Sequence, residues 1–219
     1  MVAGVVGLIA GALIVYAGPR LVAYRFPDGV AQPDARVLVP LAGGWLAGWQ
    51  PVRTLLVEIA TGAALAGLVL HEGPYLRALL TIAYSLVLIT IGYIDLDYRL
   101  VLNRLSYPAI LVALAASLLW PGLGLQSALL GALVGLAVFV VLQIAGRGAL
   151  GTGDTKLAVL IGAMRGLPGV FDALLIGMLF GGLAALFFLL VLRKGRKSFF
   201  AYAPYLAAGA VVSFFITGP

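Results

Sequence analysis

The chain has 219 residues, of which 63% are hydrophobic and only 10% charged, and its formal net charge is +6. A soluble domain carries about a quarter charged residues, so this composition excludes an ordinary soluble globular enzyme. With no cysteine, disulfides, thiolate nucleophiles and cysteine-built zinc sites are excluded, and all acid-base chemistry rests on eight acidic residues and one histidine.

A helix needs roughly 20 residues to cross a hydrocarbon core of about 30 Å. Eight apolar runs are read as spans: Val2 to Gly18, Thr54 to Leu70, Leu76 to Tyr93, Leu105 to Trp120, Ser127 to Ile144, Thr155 to Leu167, Val170 to Leu192 and Phe199 to Ile216. The first lacks a basic region before it and an obvious small-residue cleavage motif, so it is read as a retained helix and not a signal peptide. The sixth is short and has glycines at both ends, which fits a tilted, re-entrant or partly unwound segment. The expected fold is an all-α polytopic bundle of about eight transmembrane helices, a single membrane domain over residues 1–219.

Charge placement orients these spans. If the N-terminus lies outside, the loops after spans one, three, five and seven hold Arg20, Arg25, Arg36, Arg53, Arg99, Arg104, Arg147, Lys156, Arg193, Lys194, Arg196 and Lys197, leaving only Arg77 and Arg165 opposite. The positive-inside rule reads this split as N-out and C-out. It also accounts for the basic balance without nucleic acid as a partner; the lipid bilayer is the expected surroundings.

The one substantial loop, residues 19–53, is expected on the cytoplasmic side. It holds Pro27, Pro33, Pro40 and Pro51. Below about 40 residues a segment needs metal or disulfides to build its own core, so this loop is expected against the membrane surface, with Trp45 and Trp49 as interfacial anchors. Small residues four apart, as in Gly131 with Gly135 and Gly177 with Gly181, allow close helix contacts.

Among the acidic residues, Asp28, Asp34, Glu72 and Asp172 read as solvated or capping groups. Glu58 lies one turn inside the second span, where an ionisable group is either functional or paired, here with Arg53. Asp95 and Asp97 end the third span in Tyr93-Ile94-Asp95-Leu96-Asp97-Tyr98-Arg99, and Asp154 opens the sixth in Gly151-Thr152-Gly153-Asp154-Thr155-Lys156-Leu157. The topology puts both segments at the same membrane edge, so two carboxylates from separate helices can meet there. Two carboxyl groups sharing a site do not both ionise easily; one keeps a proton while the other acts as a base, which suits peptide hydrolysis by water without a metal. On spacing alone, helix-end solvation of Asp95 and Asp97 and N-capping by Asp154 remain open.

These segments resemble the type IV prepilin leader peptidases, membrane aspartic proteases of the GxGD kind. Gly151 to Leu157, continuing through Ile161-Gly162-Ala163-Met164-Arg165-Gly166, is similar to the family's second catalytic motif. Ile94 to Asn103 is similar to the first, with Leu102 where the family has proline. Arg53 to Leu65 resembles the entry into the family's second span, Tyr202 to Gly209 its closing helix, and Gly11 to Pro27 faintly its N-terminal stretch. The resemblance implies an endopeptidase that removes leaders from prepilin or pseudopilin precursors at the cytoplasmic face of the inner membrane. It implies Asp95 and Asp154 as the catalytic pair, with Asp97, Asn103, Gly151, Gly153, Lys156 and Glu58 in support, and no cofactor or metal. The family's four-cysteine zinc region is missing, so methylation of the new N-terminus is expected to be absent or reduced. Two other readings stand beside this one: a proton- or cation-coupled transporter, whose site would lie nearer the midplane, and a noncatalytic assembly subunit.

Overall fold

The computed structural model describes residues 9–14, 16–17, 59–61, 63, 67, 75–120, 122–146, 150–190 and 201–216. Among these residues the structure is helical, without strands, and five helices carry the argument: α1 (Tyr75–Tyr98), α2 (Asn103–Ala116), α3 (Gly124–Ala145), α4 (Thr152–Leu190) and α5 (Ala203–Ile216). The expected loop over 19–53 and Glu58 lie outside the described residues.

Helix α1 runs beyond the expected end at Tyr93, so Asp95 and Asp97 belong to its last turn. It stops because Arg99 adopts a left-handed conformation (φ 49°) and donates its N–H to the carbonyl of Asp95 at 2.9 Å. That is the αL helix stop, made here with arginine where glycine is usual, at a cost of about 1–2 kcal/mol.

Helix α2 has 14 residues, about 21 Å at the helical rise, and is shorter than the expected span to Trp120. After Ala116 the chain turns through Ser117, and Trp120 stacks on Tyr84 of α1 with ring centroids 5.8 Å apart. Gly122 (φ 91°) and Gly124 (φ 67°) then take conformations that side chains resist and deliver the chain to α3.

Helix α3 inverts the pattern of a soluble helix. Its buried residues are Ala128, Gly131, Gly135 and Phe139, while Leu129, Leu133, Val141 and Ile144 are exposed. Small residues inside and large apolar ones outside suit a helix that packs against protein on one side and lipid on the other. A Cβ on Gly131 would meet the carbonyl of Gly162, and one on Gly135 that of Ala158, so α3 and α4 touch backbone to backbone.

The two apolar runs expected as spans six and seven form α4, a helical run broken at Gly166 (φ 60°, ψ −168°) and Leu167 (φ −99°, ψ 128°). Ser127 of α3 repairs the break: its hydroxyl accepts the Leu167 N–H and donates to the Leu167 carbonyl, each at 2.9 Å. The first piece spans about 21 Å at the helical rise, short of a bilayer core.

The contacts of α5 fix the direction of the second piece. From Tyr202 to Phe214, this segment meets Gly181, then Gly177, then the guanidinium of Arg165 at 4.9 Å from the Phe214 ring centroid. The second piece of α4 therefore runs back alongside the first. Helix α1 lies antiparallel to α5, Gly92 facing Pro204 and Tyr84 facing Phe214. Arg165, expected in an outer loop, is buried inside the bundle, where the aromatic face offsets part of the cost of burying its charge.

Three stretches are long and apolar enough to cross a membrane, Leu76–Leu96, Gly124–Ala145 and Thr152–Phe187, with α5 a shorter apolar helix. With the outward-facing leucines, they mark an integral membrane protein.

Candidate active site

One end of the bundle gathers the last turn of α1, the connector to α2, and the first turns of α4 and α5. Asp95 is buried, 6% exposed, and its carboxylate accepts the backbone N–H of Ala203 at the start of α5. Pro204 follows, at 3.2 Å from where Gly92 would carry a side chain, so glycine lets the start of α5 close onto α1. A carboxylate at a helix start also gains from the N–H groups exposed there.

Asp154 is the third residue of α4. Its Oδ2 accepts the N–H of Gly151 at 3.1 Å, the reach of a third-position acid back to the N-cap, while its own N–H donates to the Gly151 carbonyl at 3.1 Å. The capping expected of Asp154 is therefore present, and it holds the carboxylate in place. Asp95 and Asp154, from separate helices, lie within Coulombic reach of each other, and Arg99 is the nearest cation acting on Asp95.

Further contacts tie the two motifs together. Lys156 donates to Oδ1 of Asn103 at 2.7 Å, joining α4 to the start of α2, and its ammonium lies 5.5 Å from the Tyr107 ring centroid. Gly153 abuts Val101: a Cβ at Gly153 would lie 2.9 Å from Val101 Cγ2 and 3.1 Å from Val101 Cβ. The structure thus brings Asp95, Asn103, Gly151, Gly153, Asp154 and Lys156 to one end of the bundle. Asp97 lies in the last turn of α1, with only its backbone described, and Glu58 is outside the described residues.

Sequence reasoning missed Val101 and the segment Tyr202-Ala203. Val101 gives no signal of its own, since a valine two residues before a helix is ordinary. Tyr202 lies within electrostatic reach of Asp154, and burial together with that negative charge pushes its phenol up to about 12. The sequence carried a hint of it in the stretch Tyr202 to Gly209, read only as a closing helix.

Residues 82–186, which hold both aspartate segments, match the sequence model of the Type IV leader peptidase family. These residues belong to that family. Relatives support the assignment over a wider stretch. The chain is 30% identical over 165 residues to the prepilin leader peptidase/N-methyltransferase of Xanthomonas campestris pv. campestris, covering 73% of this chain and 58% of the relative. It is 28% identical over 172 residues to the protein of the same description from Dichelobacter nodosus, covering 74% and 57%. The Bacillus subtilis counterpart is 27% identical over 161 residues, covering 72% and 63%. The chain therefore spans less than two thirds of the length of these relatives of the leader peptidase family. No solved structure matches it.

Proposed function

We propose that this chain is a membrane aspartic endopeptidase that cleaves leader peptides from prepilin-like precursors, with Asp95 and Asp154 as the catalytic pair. The observation that carries the reading is the convergence of two carboxylates from separate helices at one walled end of the bundle, each already held by a backbone N–H. The names of the relatives support the substrate class.

In this mechanism one carboxylate takes a proton from water, and the hydroxyl oxygen bonds to the scissile carbonyl carbon. The other, protonated carboxyl gives its proton to the carbonyl oxygen. Collapse of the tetrahedral intermediate breaks the C–N bond, and the nitrogen leaves with a proton returned from the first carboxyl. Burial of the pair strengthens each of these interactions relative to water. No step requires a cofactor.

The proposed setting is the inner membrane, with about eight spans, both termini outside and the site toward the cytoplasm, as the positive-inside rule reads the loops. A precursor helix lying in the bilayer would present its cleavage point at that depth. A glycine there tolerates the extended backbone that water must reach.

The test is coexpression with a prepilin and a gel shift for leader loss. Asp95→Asn and Asp154→Asn should each abolish processing, whereas Asp97→Asn should leave a measurable fraction. Full processing by Asp154→Asn, or greater damage from Asp97→Asn than from Asp95→Asn, would overturn the assignment.

A further inference from the structure

The peptidase mechanism uses two aspartates, yet a third polar side chain stands at the same end of the bundle. Tyr202 immediately precedes Ala203, whose N–H holds Asp95, so its backbone is fixed by the candidate site itself. Its ring is fixed twice more. It packs on Phe139 of α3, centroids 6.3 Å apart at 53°, and it fills the space left by Gly181 of α4, where a Cβ would collide with Cε2 and lie 2.9 Å from Cζ. Its carbonyl accepts the N–H groups of Tyr205 and Leu206 at 3.1 and 3.2 Å, which starts α5. A ring held on three sides, with its polar end in the field of Asp154, does more than fill space.

Resting on the peptidase reading, we propose that Tyr202 is a positioning residue for the reaction, its phenolic hydroxyl donating to the Asp154 carboxylate from the side opposite the Gly151 N–H. The Asp154 Oδ2 is occupied by Gly151, which leaves acceptor capacity on the carboxylate for a second donor. Burial keeps the phenol protonated across the working pH range, so it remains a donor throughout. Two donors from two elements fix the plane of the carboxylate, and a base fixed in plane meets its water at a constant angle. Phenylalanine at this position would keep the packing against Phe139 and Gly181 and lose only the donor.

The experiment compares wild type, Tyr202→Phe and Tyr202→Leu in detergent or liposomes. Steady-state cleavage of a purified prepilin is measured together with thermal unfolding and the rate at which dicyclohexylcarbodiimide labels Asp154, followed by mass spectrometry. That reagent attacks protonated carboxyls, and a carboxylate deprived of a donor spends more time protonated. Tyr202→Phe should lower kcat by about ten- to a hundredfold with KM and melting temperature unchanged, the scale of one lost hydrogen bond to a charged group. It should also speed labelling several-fold. Tyr202→Leu should lose stability as well. An unchanged labelling rate in Tyr202→Phe overturns the proposal whatever kcat does, and so does an unchanged kcat in an enzyme that cleaves. If wild type cleaves no prepilin while labelling still accelerates in Tyr202→Phe, the contact with Asp154 stands and the peptidase reading fails.

Discussion

The contact between Gly153 and Val101 joins the residue before Asp154 to the connector that follows the helix of Asp95. Replacing Gly153 by alanine puts a carbon 2.9 Å from Val101 Cγ2, whereas carbon atoms rest at about 3.5–4.0 Å. Val101 must therefore retreat by about 0.5–1 Å, and it is buried, 8% exposed, with little free space behind it. Overpacking of this size costs about 1–3 kcal/mol. Alanine recovers about 0.5–1 kcal/mol of helix propensity, so the net loss of stability should be small, about 0–2 kcal/mol.

The effect on activity should be larger. The retreat displaces the segment that ends α1, and Asp95 moves relative to Asp154; a 1 Å error in a reacting constellation costs about a hundredfold. Gly153→Ala should therefore cleave prepilin tens- to a hundredfold more slowly, on the same principle, while melting within a few degrees of wild type. Val101→Ala removes both obstructing methyl groups, so Gly153→Ala with Val101→Ala should regain most of the lost rate. The assay is prepilin cleavage alongside thermal unfolding in detergent, with the four variants analysed as a double-mutant cycle. Wild-type activity in Gly153→Ala, or no recovery in the double variant, would refute the claim that this contact sets the aspartate pair.

Gly162→Ala should be far more damaging than Gly153→Ala, because its Cβ meets the backbone carbonyl of Gly131, which has no rotamer to yield; a loss of about 3 kcal/mol or more is expected in thermal unfolding. Gly182→Ala is the control: nothing lies within 4 Å of its Cβ, so it should be neutral or gain about 0.5–1 kcal/mol. Lys156→Met should cost about 1.5–3 kcal/mol by removing the charged bond to Asn103, and adding Asn103→Ala should cost little more, which unfolding of both variants would check. The Thr155 hydroxyl is buried without a hydrogen-bond partner, so Thr155→Val should raise stability by about 1–3 kcal/mol; a lower melting temperature would mean that water in the site bonds this group.

Much of this arrangement was legible in the sequence because it follows from the simplest physical constraints. The apolar runs give helices at α1, α3, α4 and α5, since hydrophobicity over such lengths leaves the backbone few other ways to satisfy its hydrogen bonds in lipid. The acidic residues were few enough that Asp95 and Asp154 stood out before any geometry was known. The lengths were less legible. Helix α2 stops at Ala116 because a turn and the Tyr84 to Trp120 stack end it, and neither is visible in a run of leucines and alanines. The reversal at Gly166 depends on Ser127, 39 positions earlier, supplying both hydrogen bonds to Leu167. A pairing over that distance has no periodicity to betray it. Arg165 was assigned to a loop because charge alone was considered, and the Phe214 ring that receives it comes from α5.

The glycines separate the two ends of the bundle by kind of contact. Far from the aspartates, Gly131, Gly135 and Gly162 bring backbone against backbone, and their effect is to fix how close α3 and α4 lie. At the aspartate end, Gly92, Gly153 and Gly181 each admit a neighbouring element: the start of α5 at Pro204, the connector at Val101, and the ring of Tyr202. Read in sequence, both sets are small residues in apolar helices and carry the same packing explanation. In three dimensions the second set determines how closely the motif segments approach, because each admitted group is bonded within a few residues to one that holds or faces an aspartate. A bundle built only to be close-packed would have no reason to spend three glycines on side chains and turns at one end. Their concentration there is what the sequence would look like if the aspartate pair, and not the bundle, set the spacing of these helices.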